Sequence, residues 1–457
     1  MKKIARRTSA CLLLVLFVIS AFSIYFVNYL SHGDMWVSFQ VNRHVYSDAV
    51  LATGKVTDRN GLLLARMTRD NQYFCSSELT RKATLHTVGD INGNIGTGIL
   101  SYHATDLMGY NVLNGVYSHT GVGNTIKLSI DSSLNEIAYT ALAGRKGAVV
   151  FYNYKTGEIL TMVSTPTYDP YKPLSKEQLE WSDYEGVYIN RAISSTFTPG
   201  SVFKIVTLAA AIENIDNLFN LEFYCNGEIE IAGETITCSS VHGHCDIYSA
   251  FAGSCNVAFA EIAQMLGGKT IYEYMKKLGL IDSFEVSGIP IAKGSFEVAE
   301  EGSSDLSWSG IGQYEDMVNP MALTRLMGAI ANKGVAVNPK IISGVTGEYG
   351  LPVKLKYHNK SMKRLLSTST AEKLSEMLRY NVTEAYYSYY NFDSYEGLCA
   401  KSGTAEMDNG KPPHAWFTGF IGDKNNPYAF TVIVENSGWG LGQAAPIAND
   451  LLYQILK

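Results

Sequence analysis

The feature that most constrains the fold is an uncharged, mostly apolar run near the N-terminus, at residues 10–30. About 20 such residues in a helix match the thickness of the hydrocarbon core of a bilayer. Four basic residues precede the run: Lys2, Lys3, Arg6 and Arg7. A cleaved signal peptide has an apolar core of only ~7–15 residues and a small-residue cleavage site. We therefore expect an uncleaved, single-pass membrane anchor whose basic N-terminus stays inside and whose remaining chain lies outside the cytoplasm.

The composition beyond the anchor is that of an ordinary globular protein. The 457 residues are 46% hydrophobic and 18% charged, and the formal net charge is -6. A chain of this length holds one large domain with a smaller one, or three modest ones. Because no basic stripe is visible along the chain, nucleic acid is not an expected partner.

The segment from residue 34 to about residue 124 is rich in glycine and asparagine and contains short apolar runs. Turn signals are dense there, for example at 54–61 and 93–98, and helical periodicity is poor. This pattern predicts a small, irregular, β-containing module.

The remaining chain mixes strand and helix patterns. A strand is predicted at 125–130, and Asp131 is placed to cap a helix at 132–142. Two apolar runs, 147–152 and 158–164, flank a turn and predict a hairpin. Later helices are predicted at 201–213, 257–266, 321–332 and 444–456, and later strands at 397–404, 415–421 and 428–435. Strands at both ends with helices between them predict an α/β domain whose two ends share one sheet.

A candidate nucleophile lies in the run Thr198-Pro-Gly-Ser-Val-Phe-Lys204. Proline disfavours a helical residue before it, so we predict a helix that starts just after Gly200 and carries Ser201 at its N-terminus. Free backbone N–H groups and the helix dipole favour a developing anion there. Lys204 is three residues on, on the same helix face, and a desolvated lysine acts as a base toward a hydroxyl.

A lone S-x-x-K motif arises by chance in a chain of this length, and a solvated surface turn is its ordinary alternative. Here the run 205–212 is apolar. A buried helix that carries two polar groups is therefore the preferred interpretation.

Two further motifs strengthen it. The first is Ser254-Cys-Asn256, which lies in segment 250–260. The other residues of this segment are typical of an apolar, buried helix. A buried hydroxyl and amide need partners, because an unsatisfied buried polar group costs ~1–3 kcal/mol. The second motif is Lys401-Ser-Gly-Thr404 at the start of the C-terminal strands.

On a strand, the side chains of Ser402 and Thr404 share a face. With Lys401 nearby, they predict a pocket for a substrate carboxylate. Gly403 permits close approach of another backbone, so an extended peptide is expected to pair as an added strand. Standing alone, this segment is more typical of a solvated turn.

In this order, S-x-x-K, S-x-N and K-[ST]-G resemble the penicillin-binding protein and serine β-lactamase superfamily. The likeness extends to the class B transpeptidase domain at 147–151, 156–166, 190–192, 243–256 and 414–420, and to the N-terminal pedestal of that class at 58–61 and 93–110. It covers the chain from about residue 55 onward. The resemblance implies a multi-domain α/β protein whose transpeptidase domain has a central antiparallel sheet flanked by helices. The implied segments are a cytoplasmic tail (1–9), a transmembrane anchor (10–30), a small β-rich pedestal (31–130) and the transpeptidase domain (131–457).

The resemblance also implies catalytic roles. Ser201 is expected to attack the carbonyl between the two terminal D-alanines of a donor peptidoglycan stem peptide and form an acyl-enzyme, while Lys204 takes its proton. Ser254 is expected to relay a proton to the leaving D-alanine, with Lys401 beside it holding the charge balance. An amine of a second stem peptide then completes the cross-link, and penicillin and other β-lactams acylate the same serine.

Substrate binding follows from the same resemblance. Asn256 is expected to bind the amide of the donor peptide, and Ser402 and Thr404 are expected to hold its terminal carboxylate beside Gly403. The backbone N–H groups of Ser201 and Thr404 are expected to form the oxyanion hole, a contribution of typically ~3–4 kcal/mol. The chemistry requires neither a metal nor a diffusible cofactor.

The pedestal is short for class B, and no glycosyltransferase-like domain is seen in the sequence. The resemblance therefore implies a monofunctional enzyme that depends on a separate membrane glycan polymerase. The alternatives are a D,D-carboxypeptidase, a β-lactam-hydrolysing or β-lactam-sensing enzyme, and a non-catalytic scaffold of a wall-building complex. A scaffold has no need of both Ser201 and Lys204.

The cysteines leave a second question open. Cys225 and Cys238 flank a short hairpin-like stretch, and a disulfide between them suits an oxidising compartment. His242, His244 and Cys245 are close by in sequence, so a metal site is the sharper alternative. Because the spacing matches no standard zinc pattern, unpaired or disulfide-bonded cysteines are expected. Cys255, a variant position inside S-x-N, is assigned to packing.

Overall fold

The computed structural model describes residues 2–33, 39, 42, 45–47, 50–110, 115–116, 122–353, 357, 361–390, 392–407 and 410–457. The helices are α1 (Lys2–Ser31), α2 (Glu78–Val88), α3 (Ile99–Tyr102), α4 (Ala104–Met108), α5 (Ser132–Leu142), α6 (Lys176–Leu179), α7 (Arg191–Ser194), α8 (Lys204–Asn214), α9 (Ile247–Ala252), α10 (Asn256–Leu266), α11 (Gly268–Lys277), α12 (Ser304–Ile311), α13 (Pro320–Ala331), α14 (Thr368–Tyr380), α15 (Gly440–Gln443) and α16 (Ala445–Ile455). The strands are β1 (Tyr46–Ser47), β2 (Val50–Leu51), β3 (Lys55–Thr57), β4 (Leu63–Met67), β5 (Gln72–Phe74), β6 (Thr125–Leu128), β7 (Gly147–Asn153), β8 (Ile159–Thr165), β9 (Glu222–Cys225), β10 (Glu228–Ile231), β11 (Glu234–Thr237), β12 (Gly243–Asp246), β13 (Glu285–Val286), β14 (Ile289–Pro290), β15 (Val335–Val337), β16 (Ile342–Thr346), β17 (Met362–Arg364), β18 (Leu398–Ala405), β19 (His414–Ile421) and β20 (Tyr428–Val434).

Helix α1 contains the apolar run and is long and apolar enough to cross a membrane. Its large apolar side chains are exposed, such as Phe17 with 72% of its surface accessible. The described part of the chain leaves them uncovered, as is usual for a helix that faces lipid. The helix begins at Lys2, so the segment predicted as a tail is itself helical from its second residue.

The segment predicted as a pedestal contributes most of a five-stranded sheet with the order β16-β6-β3-β4-β5. Its edge strand β16 comes from much later in the chain and pairs antiparallel with β6. Parts of the predicted pedestal, such as 34–38 and 111–114, lie outside the described residues.

Helix α2 in this region is not foreseen by the sequence pattern. Its buried positions include the polar residues Thr80, Thr84 and His86, so its apolar periodicity is weak. Ser77 caps the helix by accepting from the Thr80 N–H. The buried face of α2 is therefore partly polar, which is why a search for a hydrophobic stripe misses this helix.

The central sheet has the order β18-β19-β20-β7-β8, and all its neighbouring strands are antiparallel. The prediction that both ends of the domain share one sheet is therefore confirmed. Side chains alternate between two hydrophobic clusters on opposite faces: Val150 and Trp416 belong to one, and Phe151 and Phe417 to the other. Helix α13 packs on one face, and α5 and α16 cover the other.

Two local expectations are wrong, and both lie next to the S-x-x-K and S-x-N motifs. The helix predicted to start just after Gly200 begins at Lys204, preceded by a 3-10 turn at Gly200–Val202. The segment 250–260 is not one helix either, because Ser254 has a φ of 58° that breaks it into α9 and α10. Tertiary contacts override local helix propensity at both places.

Candidate active site

The turn that carries Ser201 is held against the edge of the central sheet. Gly200 has a φ of 54°, a left-handed conformation that favours glycine. A Cβ atom at this position would lie 2.5 Å from the Thr404 carbonyl oxygen. The Trp416 indole donates to the Thr198 carbonyl oxygen at 2.9 Å, and the Gly200 N–H donates to the Gly312 carbonyl oxygen at 2.9 Å. The turn is thereby fixed directly beside strand β18.

The Lys204 amine lies beneath this turn and is fully buried. Its Nζ donates to the Ser254 carbonyl oxygen at 2.6 Å and to Asn256 Oδ1 at 2.8 Å. It lies 3.3 Å from Ser201 Oγ and 3.2 Å from Ser254 Oγ. A neutral amine has two N–H donors and one lone pair. With both donors taken by the two closer acceptors, the lone pair is left facing the hydroxyl groups.

Burial lowers the pKa of Lys204 to about 7, against the opposing influence of the sulfur atoms of Cys238 and Cys255. Burial, together with the positive charge of Lys204, holds the pKa of Lys401 well below its usual range. Desolvation penalises each ammonium, and repulsion penalises the state in which both are charged. With a pKa of about 7, a substantial fraction of the Lys204 amine beside Ser201 is neutral at neutral pH.

Ser254 connects the two lysines. Its hydroxyl lies 3.2 Å from Lys204 Nζ and 3.0 Å from Lys401 Nζ. The left-handed backbone of Ser254 ends α9, and α10 begins at Asn256. The break turns the hydroxyl, the carbonyl oxygen and the Asn256 amide toward one point, which a continuous helix would not do. These contacts form a chain of proton-exchanging groups from Ser201 to Lys401.

Strand β18 forms one wall of the site at the edge of the sheet. Ser402 and Thr404 are half-buried. Lys401, which precedes Ser402, and Gly403, which lies between the two hydroxyl residues, are buried. A Cβ atom on Gly403 would lie 3.1 Å from the Val202 backbone nitrogen. The two hydroxyl side chains share the open face, as the alternation of a strand requires.

The cleft above these groups has a volume of about 440 Å³. It is lined by Ser201, Ser254 and Asn256 together with the Ser402–Thr404 segment. All three sequence motifs therefore converge on one cavity, although they lie far apart in the chain.

Several lining residues are missed by the sequence patterns. They are mostly aromatic: Trp308, Gln313, Tyr386, Tyr389 and Trp439. The Tyr386 hydroxyl is the most closely engaged, since it accepts from the Ser402 N–H at 3.1 Å and lies 3.1 Å from Ser402 Oγ. Its neighbours in the sequence carry no motif, so only the folded structure brings it to the site.

The arrangement suits acyl transfer. A hydroxyl nucleophile lies beside a neutral amine base, a second hydroxyl leads from that base to another amine, and polar backbone borders the cleft.

Comparison with known families agrees with this interpretation. Residues 147–453 match the model of the penicillin binding protein transpeptidase domain. Peptidoglycan D,D-transpeptidase PbpA of Mycolicibacterium smegmatis is 26% identical over 363 residues, which cover 73% of this chain and 73% of that protein. Stage V sporulation protein D of Bacillus subtilis is 28% identical over 362 residues, covering 72% of this chain and 53% of that protein.

Solved structures share the fold. The crystal structure of penicillin-binding protein A from Mycobacterium tuberculosis has a TM-score of 0.74 at 22% identity, with 89% of this chain and 100% of that chain covered. The D,D-transpeptidase domain of a peptidoglycan glycosyltransferase from Eggerthella lenta has a TM-score of 0.72 at 23% identity, with 88% and 98% covered. At these identities the likeness establishes the fold.

The contact between Gly200 and Thr404 predicts a specific sensitivity. Replacing Gly200 with alanine forces a left-handed alanine and drives its Cβ into the Thr404 carbonyl oxygen. Gly144→Ala is the matched control, because Gly144 has a φ of 79° with no heavy atom near its Cβ position. We expect Gly200→Ala to lower the free energy of unfolding by about 1–3 kcal/mol more than Gly144→Ala, the usual range for overpacking. Thermal melts of the two variants measure the difference, and equal losses would contradict the close approach.

Proposed function

The chain belongs to the penicillin-binding protein transpeptidase family, and we propose that it is a peptidoglycan D,D-transpeptidase that cross-links stem peptides through an acyl-enzyme on Ser201. The observation that carries the proposal is the buried Lys204 amine, held 3.3 Å from Ser201 Oγ by two acceptors. Relatives named as peptidoglycan D,D-transpeptidases support the substrate class.

Acylation begins when Ser201 Oγ attacks the carbonyl carbon between the two terminal D-alanines of the donor peptide. A bond forms from Oγ to carbon, and the hydroxyl proton passes to the neutral Lys204 amine. The carbonyl oxygen becomes an oxyanion. The backbone N–H groups of Ser201 and Thr404 stabilise it there, a contribution of typically ~3–4 kcal/mol.

Collapse of this intermediate breaks the carbon–nitrogen bond and releases the terminal D-alanine. The leaving nitrogen takes a proton from the Ser254 hydroxyl, and Lys204 returns its proton to Ser254. Lys401 lies 3.0 Å from Ser254 Oγ and completes this path. Burial and Lys204 keep this amine neutral before substrate binds; the substrate carboxylate that ends beside it favours the ammonium form, which then balances the carboxylate charge.

The donor peptide is placed along strand β18. Ser402 and Thr404 bind its terminal carboxylate, and its extended backbone pairs along the edge of the sheet. Gly403, between the two hydroxyl residues, lets the nucleophile turn lie close to the strand. Asn256 faces the same cleft and binds the donor amide. An amine of a second stem peptide then attacks the acyl-enzyme, transfers its proton back through the same bases and releases Ser201.

The membrane arrangement belongs to the same proposal. Residues 1–9 form the cytoplasmic tail, residues 10–30 of α1 cross the membrane, and a pedestal (31–130) and a transpeptidase domain (131–457) lie outside. The basic residues before the apolar run support this orientation. A separate membrane glycan polymerase supplies the glycan strands and is contacted through the anchor and pedestal.

Penicillin labelling tests the nucleophile. We expect mass spectrometry of the full-length protein in detergent, after excess benzylpenicillin, to show one intact drug on Ser201. Ser201→Ala should lose the adduct and keep its melting temperature, since a partly exposed serine contributes little to stability. Ser239→Ala is the matched control, because Ser239 also lines the cleft but has no proposed role, and it should label normally.

Other outcomes of this labelling contradict parts of the proposal. Hydrolysed drug without an adduct would indicate a β-lactamase, and intact drug without an adduct would contradict the catalytic role of Ser201. Labelling of sealed spheroplasts with a membrane-impermeant penicillin conjugate tests the orientation separately. Labelling that appears only after lysis would place the domain inside while leaving the chemistry intact.

The state of Lys204 predicts a pH dependence. Its pKa of about 7 means that the neutral, basic form is lost as the pH falls through neutrality. We expect the second-order rate of acylation by benzylpenicillin to level off above this pKa and to fall about tenfold per pH unit below it. Stopped-flow labelling at several pH values measures the profile, with thermal melts at each pH to exclude unfolding. A rate that stays constant across this range would rule out Lys204 as the base.

The polymerase partner is tested by purification from membranes. We expect a polytopic glycan polymerase to co-purify with the full chain in mild detergent and to be lost when α1 is replaced by an unrelated membrane-spanning helix. Penicillin labelling of both preparations should be equal, because α1 lies outside the catalytic cleft. Recovery of the chain without any polymerase would contradict the partnership.

A further inference from the structure

A cluster of sulfur and imidazole side chains lies directly behind the S-x-N turn. It consists of Cys225, Cys238, His242 and Cys255, whose ligand atoms all lie within 4.8 Å of one another. Catalysis as proposed above uses none of the four side chains. Packing alone, the role predicted for Cys255, does not account for the grouping of its sulfur with three other ligand atoms.

Three separate segments contribute these side chains, since Cys238 and His242 share the loop between β11 and β12. Cys225 ends strand β9, and Cys238 follows directly after the hairpin of β10 and β11. His242 precedes β12, and Cys255 caps the N-terminus of α10. The spacing matches no local zinc pattern because folding, rather than a short motif, assembles the group. His244 lies outside the cluster, and its ring packs at a tilted angle against Tyr224, with the ring centroids 4.9 Å apart.

The side chains are already oriented toward a common centre. His242 Nε2 lies 2.9 Å from the Gly253 carbonyl oxygen, while Nδ1 lies 3.5 Å from Cys238 Sγ. A proton on Nε2 that donates to this carbonyl leaves the Nδ1 lone pair directed at the cluster. Metal-bound histidines usually donate their second ring N–H in this way.

Backbone donors also point at the sulfur atoms. The Asn256 N–H donates to Cys238 Sγ at 3.2 Å, and the Ala258 N–H donates to Cys255 Sγ at 3.5 Å. Hydrogen bonds of this kind stabilise a charged acceptor more than a neutral one. Cys225 and Cys255 are completely buried, where free thiolates would be costly without a cation.

We propose that Cys225, Cys238, His242 and Cys255 bind a structural zinc ion. Three thiolates and one imidazole are a typical tetrahedral zinc set, with Zn–S bonds of ~2.3 Å and Zn–N bonds of ~2.0 Å. Those bonds place ligand atoms less than ~4 Å apart, so the observed cluster needs only a small contraction. Four protein ligands fill the tetrahedral coordination sphere and leave no position for a water molecule. The ion therefore has a structural role and is not a hydrolytic centre.

The ion would fix the geometry of the S-x-N turn. Cys255 stands between Ser254 and Asn256, which together hold the Lys204 amine. Ser254 occupies a left-handed conformation, which a non-glycine residue keeps only when its surroundings enforce it. Zinc on Cys255, tied to the hairpin through Cys225 and Cys238, supplies that restraint. The four ligands are thus positioning residues for the base.

A disulfide is the competing state of these thiols. All seven cysteines of the chain are free in the structure, and pairing any two members of the cluster would leave the third thiol and the imidazole without a bound ion. Zinc binding uses all four groups at once.

Metal content of the full-length protein in detergent tests the proposal. We expect inductively coupled plasma mass spectrometry to find about one zinc per chain, the stoichiometry of a closed four-ligand site. Cys225→Ser and Cys238→Ser should reduce it to background. Cys75→Ser is the matched control, because Cys75 is also a buried, free cysteine but lies outside the cluster, and it should keep the zinc.

A second measurement keeps the test decisive where a variant fails to fold. Removing zinc from the wild-type chain with a strong chelator should lower the melting temperature, and Zn²⁺ but not Mg²⁺ should restore it. Exchange with Co²⁺ should produce thiolate-to-metal charge-transfer absorption. Metal at background in the wild type with no response to Zn²⁺, or a disulfide found by thiol titration, would overturn the proposal.

The zinc and transpeptidase proposals fail independently. Ser201→Ala should retain zinc while losing penicillin labelling. A wild-type chain that contains no zinc but is fully labelled by penicillin would contradict the zinc proposal and support the transpeptidase proposal. A chain that contains zinc but is never labelled would contradict the transpeptidase proposal and support the zinc proposal.

Discussion

Burial of one amine is the constraint on which the site depends. Lys204 Nζ is fully enclosed and meets a carbonyl oxygen, an amide oxygen and two hydroxyl groups. Removing an ammonium from water is so unfavourable that the group instead becomes neutral near pH 7. The acceptors on Ser254 and Asn256 then decide where its lone pair points. The same burial that would destabilise a structural lysine makes this one a base.

The surrounding fold supplies what that amine needs. The central sheet ends at β18, so an edge strand lies beside the nucleophile turn. Helix α8 begins at Lys204 and is buried along most of its length. The break between α9 and α10 places Ser254 next to the Lys204 amine. Glycine at positions 200 and 403 lets the two walls approach within backbone contact distance. Rigid elements thereby fix groups that a loop would leave misplaced.

The cysteine–histidine cluster extends this support behind the turn. The hairpin of β10 and β11 contacts α10 and α12, but of its strand residues only Ile236 is buried. A bound ion would tie its base to α10 and to the Ser254 backbone. The strained turn, the base and the nucleophile would then share one rigid frame, in which the metal contributes stability and no chemistry.

The sequence by itself determined the membrane-spanning run, the strands of the shared sheet and the three motifs of the site, because hydrophobic periodicity and turn residues are local properties. It also specified Asp131 as a helix cap, which the structure confirms through bonds from the Ser133 and Leu134 N–H groups. Only the tertiary structure decided the 3-10 turn at Ser201, the left-handed Ser254 and the place of Tyr386 in the cleft. Those features depend on contacts between distant segments, and so does the grouping of Cys225, Cys238, His242 and Cys255. No local pattern records which distant backbone a residue will meet, and long-range packing can override local preference wherever its free energy is larger.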